Sequence, residues 1–204
     1  MTDDRLQHWQ ASFAGPDYRY GRTPNRFLAA CRPLFPPHGR ALAIADGEGR
    51  NGVFLAGCGL DVVSVDFSSN AQAKARRLAA DHGVTIDFRL ADILDWDWPE
   101  AEYDLVAAIC IQFATPPERD RIFAGLKRAL RPGGLLILTG YRPEQIALAT
   151  GGPKETDKCY TSELLETAFA DLAELEIREW DGVVDEGTHH RGPSALIDLH
   201  GRRA

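Results

Sequence analysis

The stretch Ala43-Ile44-Ala45-Asp46-Gly47-Glu48-Gly49-Arg50-Asn51-Gly52 joins three kinds of local pattern. A short apolar run, Arg40–Ala45, reads as a buried strand. A glycine-rich turn follows, and "RNGVFLAGCG" then reads as a helix ending near Gly57 or Gly59. Strand, glycine turn and helix in this order imply an α/β fold, because a parallel sheet needs a crossover between its strands. The glycines let the backbone approach a ligand closely, and the helix N-terminus favours a pyrophosphate or a carboxylate. Gly47 to Gly52 is also a literal G-x-G-x-x-G, the fingerprint of dinucleotide-binding domains. The string alone leaves the ligand open.

The remaining chain extends the pattern. "DVVSVD" (61–66) reads as a second strand, and "SSNAQAKARRLAADHG" as a helix with a Ser or Asn cap and Gly83 beyond its end. "VTIDFRLAD" and "YDLVAAICI" (103–111) read as the third and fourth strands. Thr115-Pro116-Pro117-Glu118 matches a capping box with proline at the first helical position. The helix that it opens places apolar residues 122, 123, 126, 129 and 130 on one face. "RPGG" ends this helix, "LLILTGY" forms a fifth strand, and "TSELLETAFA" is a further helix. "LAELEIREWDGVV" and "SALIDLHGR" read as a final antiparallel hairpin around the loop "DEGTHHRGP". Residues 1–40 form a helical, then proline-rich preamble, with a short helix from about Asn25. No repeat, linker or low-complexity segment divides the chain, so one domain over 1–204 is expected.

Charge and cysteine usage narrow the function classes. A net charge of −7 argues against a nucleic-acid binder, which needs a basic face. The cysteines at 31, 58, 110 and 159 form no C-x-x-C, so reduced thiols and no metal site are expected. No stretch approaches the roughly 20 apolar residues of a membrane span. "MTDDRLQHWQASF" has no signal core, and a cytoplasmic location with no membrane partner is expected.

Two acids follow strands at informative places. Asp66 ends the second strand, where a carboxylate can accept both hydroxyls of a ribose; its ordinary alternative is a helix cap. Asp92, in "LADILDW", can accept an adenine amino group while the Ile93 backbone faces the ring; the alternative is a strand-end loop acid. These features suit NAD and S-adenosylmethionine alike, since both carry an adenosine.

The ordered set of the glycine loop, Asp66, "LADIL", "YDLVAA" and "LRPGGLLIL" resembles class I S-adenosylmethionine-dependent methyltransferases over nearly the whole chain. "YGRTPNRFL", "GEGRN", "VFLA", "TGGPK" and "DEGTHHRG" bring it nearest to small bacterial methyltransferases of the tellurite-resistance and thiopurine type. The resemblance implies a single-domain Rossmann-like fold, with a seven-stranded, mostly parallel sheet and one antiparallel strand in the C-terminal hairpin. It implies S-adenosyl-L-methionine as cofactor and a small-molecule methyl acceptor, in a monomer or homodimer. Residues 1–39 become an N-terminal lid or helical segment. The implied cofactor contacts are Tyr20, Asp46, Gly47, Glu48, Gly49, Asn51, Asp66, Phe67, Ala91, Asp92, Ile93 and Ile109. His189, His190 and Tyr141 are the candidate catalytic residues, with Gln112, Phe113 and the 186–192 loop as further acceptor walls; the histidines could equally be exposed loop residues. The chain departs from the family where an acid and a glycine usually stand, at Ala43 and Ala45, leaving Asp46 or Glu48 to anchor the methionine end. An NAD-dependent oxidoreductase and a non-catalytic cofactor-binding regulatory protein remain the alternatives.

Overall fold

The computed structural model describes residues 2–204. Each apolar run becomes a strand: β1 (Arg40–Ile44), β2 (Asp61–Asp66), β3 (Ile86–Leu90), β4 (Tyr103–Ile109), β5 (Leu130–Tyr141), β6 (Leu172–Glu186) and β7 (His190–Arg203). They form one sheet in the order β3-β2-β1-β4-β5-β7-β6. β1 pairs in parallel with β2 and β4, and β7 runs antiparallel to both β5 and β6. The expected mostly parallel sheet with one reversed strand is therefore present.

Helices cover both faces, which explains why β1, β2 and β4 are apolar almost throughout. Ala41, Ala43, Val62, Leu105 and Ala107 face α3 (Arg50–Gly57) and α4 (Ser69–Asp81). Leu42, Val63, Val106, Leu136 and Leu199 face α5 (Pro116–Ala129) and α7 (Ser162–Ala168). The caps are those implied by the sequence. Ser68 Oγ accepts from the Ala71 N–H, and the Glu118 carboxylate accepts from the Thr115 N–H and hydroxyl at 2.8 and 2.9 Å.

At the chain's start, α1 (Thr2–Ser12) and α2 (Arg26–Ala30) lead into a 3-10 turn at Arg32–Leu34. Asn25 caps α2, its side-chain oxygen accepting from the Phe27 and Leu28 N–H groups. The expected loop at 185–193 is nearly absent. Ladder pairing continues through Asp185↔Arg191 and Glu186↔His190, leaving Gly187–His189 as a tight turn. Residues 142–160, without a clear period, fold into the short helix α6 (Gln145–Leu148) and a 3-10 turn at Thr156–Lys158.

Two non-glycine residues at strand ends adopt left-handed backbone, Ala45 at φ 44° and Cys110 at φ 55°. For an L-residue this costs roughly 1–2 kcal/mol. Ala45→Gly is expected to stabilise the fold by about 1 kcal/mol, because glycine removes the Cβ clash. Urea unfolding of both proteins measures it; an unchanged midpoint would mean that the turn is unstrained.

Candidate active site

The chain passes from β3 across β1 to β4, so connections leave β1 and β4 in opposite directions and a crevice opens at their C-terminal ends. Open α/β sheets bind ligands at this switch point. A central cavity of about 90 Å³ lies there, lined by residues including Trp9, Phe13, Tyr20, Gly47, Arg50, Asn51, Asp66, Ile109, Cys110 and His190. A small extension of about 20 Å³ shares Ala45, Asp66, Phe67 and Phe113 with it and adds Ala91, Asp92 and Ile93. A side cavity of about 200 Å³ meets the central one at Cys110 and is walled by Tyr141, Trp180, Leu196 and Asp198.

The glycine loop is held from beneath. Asp46 is buried and accepts from the Gly52 N–H at 3.2 Å and the Ser64 hydroxyl at 2.9 Å. Burial pushes its carboxyl up to about 7, against the pull of these hydrogen bonds. Gly49 is needed for close packing: a Cβ there would lie 2.6 Å from that of Ala75 on α4. Glu48 turns away from the cavity and pairs with buried Lys74 at 2.7 Å, and it also accepts from the Tyr20 N–H at 3.4 Å. Lys74 Nζ donates on to the Asp17 carbonyl at 2.6 Å, fastening the N-terminal segment over the loop.

Asp66 accepts from the Gly47 and Ser68 N–H groups, both at 2.8 Å. Burial nevertheless raises its carboxyl to about 6. Asp92 Oδ1 accepts from the Leu94 N–H at 3.0 Å, while its buried Oδ2 has no partner. An unpaired buried acceptor is costly in an apolar extension, so it marks a place for a donor.

His190 is buried against Tyr20 and Tyr141, with ring centroids 4.5 and 5.4 Å away. Its Nδ1 has no partner. Burial above all, then the cations Arg50 and Arg19, press its pKa down to about 3, so the ring is neutral near pH 7. Burial pushes the Cys110 thiol up to about 12, so it stays protonated.

Most of the expected contacts thus converge: Tyr20, Asp46, Gly47, Asn51, Asp66, Phe67, Ala91, Asp92, Ile93, Ile109 and His190 line the central cavity or its extension. Tyr141 lines the side cavity. Glu48 and Gly49 line none of the three, serving instead as latch and packing contact. His189 is exposed in the hairpin turn, away from them. Gln112 is a strut, its amide donating to the Tyr141 and Lys158 carbonyls at 2.9 and 3.0 Å. Phe113 lines the central cavity and its extension but not the side cavity. Trp96 and Trp98 pack against the core under α5. The sequence reading missed Trp9, Phe13 and Arg50. Trp9 lies on α1 and Phe13 follows its last residue, its N–H donating to the Trp9 carbonyl at 3.0 Å, so the four-residue spacing still places both on one side.

Comparison with known proteins agrees with this geometry. Residues 41–134 match the family model of a methyltransferase domain. The demethylmenaquinone methyltransferase of Thermus thermophilus is 32% identical over 106 residues, covering 51% of this chain and 48% of that protein. An uncharacterized methyltransferase of Synechocystis is 30% identical over 131 residues, covering 63% and 58%. The chain thus spans about half the length of these curated relatives. The fold matches that of TehB from Haemophilus influenzae, with a TM-score of 0.73, 17% identity and coverage of 98% and 67%. It also matches the N-methyltransferase NodS from Bradyrhizobium japonicum in complex with S-adenosylhomocysteine, with a TM-score of 0.73, 16% identity and 97% coverage of each chain. Over residues 41–134 this chain is similar to the methyltransferase-domain family, and its fold is that of the methyltransferases of known structure just named. S-adenosylmethionine is the indicated cofactor, and the residues fit it: Asp92 Oδ2 lacks a donor, and Asp66 stands between that extension and the glycine loop.

Two outcomes follow from the acids. The folded-state pKa of Asp46 lies above its ordinary 3.8, so its contribution to stability falls as pH rises from about 4 to about 7. Asp46→Asn keeps an acceptor without the charge and is expected to gain on the native protein over that window. Urea titrations at both ends test this; parallel profiles would mean the carboxylate ionises without penalty. Asp66→Ala is expected to weaken S-adenosylhomocysteine binding by about 1–3 kcal/mol. Native affinity should also fall as pH drops through about 6. Calorimetry showing full affinity in the variant would remove Asp66 from the site.

Proposed function

We propose that the protein transfers a methyl group from S-adenosylmethionine to a small-molecule acceptor seated in the side cavity. The observation that carries this reading is that Cys110 lines both the central cavity and a separate side cavity. Its walls, among them Tyr141, Trp180, Leu196 and Asp198, join apolar surface to a few polar groups, as sites for small metabolites do. The cofactor supplies an activated methyl on a sulfonium. An acceptor lone pair forms the new bond to carbon as the carbon–sulfur bond breaks, and S-adenosylhomocysteine leaves.

On this reading the chain works mainly by position. Asp66 holds the ribose, Asp92 and Ile93 take the adenine, and Phe113 and Phe67 exclude water from the ring. Tyr20, with Trp9 and Phe13, closes the crevice from above. Alignment of acceptor and methyl within a closed site is a large source of rate. His190 is a wall and hydrogen-bonding group, since an imidazole that releases its proton near pH 3 is a weak base at neutral pH. An acceptor that must ionise does so by its own acidity.

The rate is therefore expected to follow the acceptor's pKa, with no imidazole inflection near 6.5. Calorimetry with S-adenosylmethionine, S-adenosylhomocysteine and NADH tests the cofactor; binding of NADH alone would overturn the reading. Leu196→Trp, which fills the side cavity, should abolish turnover of any acceptor found in a thiol and oxyanion panel while leaving S-adenosylhomocysteine affinity intact. Undiminished turnover would place the acceptor elsewhere.

A further inference from the structure

The loop lacks the acid that the family usually carries near the cofactor's methionine end, and the two carboxylates nearest in sequence are engaged elsewhere. Asp46 is committed to Gly52 and Ser64, and Glu48 to Lys74. The amino-acid end carries an α-carboxylate, for which a cation is the natural partner. Among the residues lining the central cavity and its extension, Arg50 is the one arginine, and no lysine lines either. Arg50 lines the central cavity and not the extension that holds Asp92, while Asp66 lines both, an arrangement that matches the order adenine, ribose, amino acid.

Arg50 is also held in place. Its side chain is 7% exposed, and Nη2 donates to Glu186 Oε2 at 2.6 Å. Glu186 arrives from the end of β6, and its other oxygen accepts from Asn25 Nδ2 at 3.2 Å and the Arg26 N–H at 3.3 Å. The remaining Arg50 contact is a long one, from Nη1 to the Thr23 carbonyl at 3.5 Å. A guanidinium has five N–H donors in a fixed plane, so these two contacts leave donors for a second carboxylate.

We propose that Arg50 binds the α-carboxylate of the cofactor's amino-acid end, and that Glu186 is a positioning residue that aims the guanidinium. The inference rests on S-adenosylmethionine being the cofactor. It gives this chain an anchor built from the first residue of α3 and the tip of the C-terminal hairpin.

Two thioethers separate this role from a merely structural one. S-adenosylhomocysteine carries the amino-acid end, and 5′-methylthioadenosine has the same adenosine and sulfur without it. Calorimetry on the full chain should show Arg50→Gln losing roughly 10- to 100-fold in affinity for S-adenosylhomocysteine and none for 5′-methylthioadenosine. Arg50→Lys, which keeps the charge without the planar fork, should recover part of the loss and serves if the glutamine variant does not fold. Glu186→Gln should show a smaller loss, again for S-adenosylhomocysteine alone. Equal losses for both ligands, or no loss for either, would overturn the proposal. Should the native protein bind neither thioether, the cofactor reading itself would fail.

Discussion

Everything in the site depends on the crossover from β3 past β1 to β4. Because β1 lies between β2 and β4, the segments leaving β1 and β4 diverge and a gap opens between them. The crevice is thus a consequence of strand order. Its two ends differ chemically because different strands deliver them: β2 and β3 bring Asp66 and Asp92, while β1 and β4 bring the glycine loop and Cys110. Left-handed backbone at both Ala45 and Cys110 shows the same constraint locally, since both strands must turn sharply at the crevice mouth.

A second constraint closes what the first opens. The N-terminal segment crosses the crevice and is tied down at two charged points. One is the buried Lys74–Glu48 pair, which gathers Asp17 and Tyr20; the other is Glu186, which gathers Asn25, Arg26 and Arg50. Hydrogen bonds to the partners matter more than the pairings themselves, because a buried ion pair returns little unless its remaining valences are satisfied. The hairpin tip also donates the Thr188 N–H to the Arg19 carbonyl at 3.1 Å, so the N-terminal segment and the hairpin meet over the site.

Burial sets the protonation of the site more than charge does. Asp46, Asp66, Cys110, Tyr141 and His190 are all displaced toward their neutral forms, with desolvation as the first cause in each. In such a desolvated space the charges that remain, Arg50 among them, interact more strongly than they would in water.

The sequence by itself determined the parallel sheet, the glycine loop at its switch point and the roles open to Asp66 and Asp92. Those follow from local periodicity and from the place of each acid at a strand end, which the backbone fixes whatever packs around it. Only the tertiary structure decided which polar residues face the cavity. Asp46 and Glu48 were plausible anchors by position, yet each found a buried partner far along the chain, Ser64 and Lys74. His189 and His190 are neighbours in sequence, but His189 sits in the exposed hairpin turn while His190 opens β7, buried beside Tyr20. Arg50 gained its setting from Glu186, 136 residues away, through a hairpin whose pairing runs to its tip. A side chain's hydrogen-bond partners are chosen by what folding brings near it, and no local pattern records that choice.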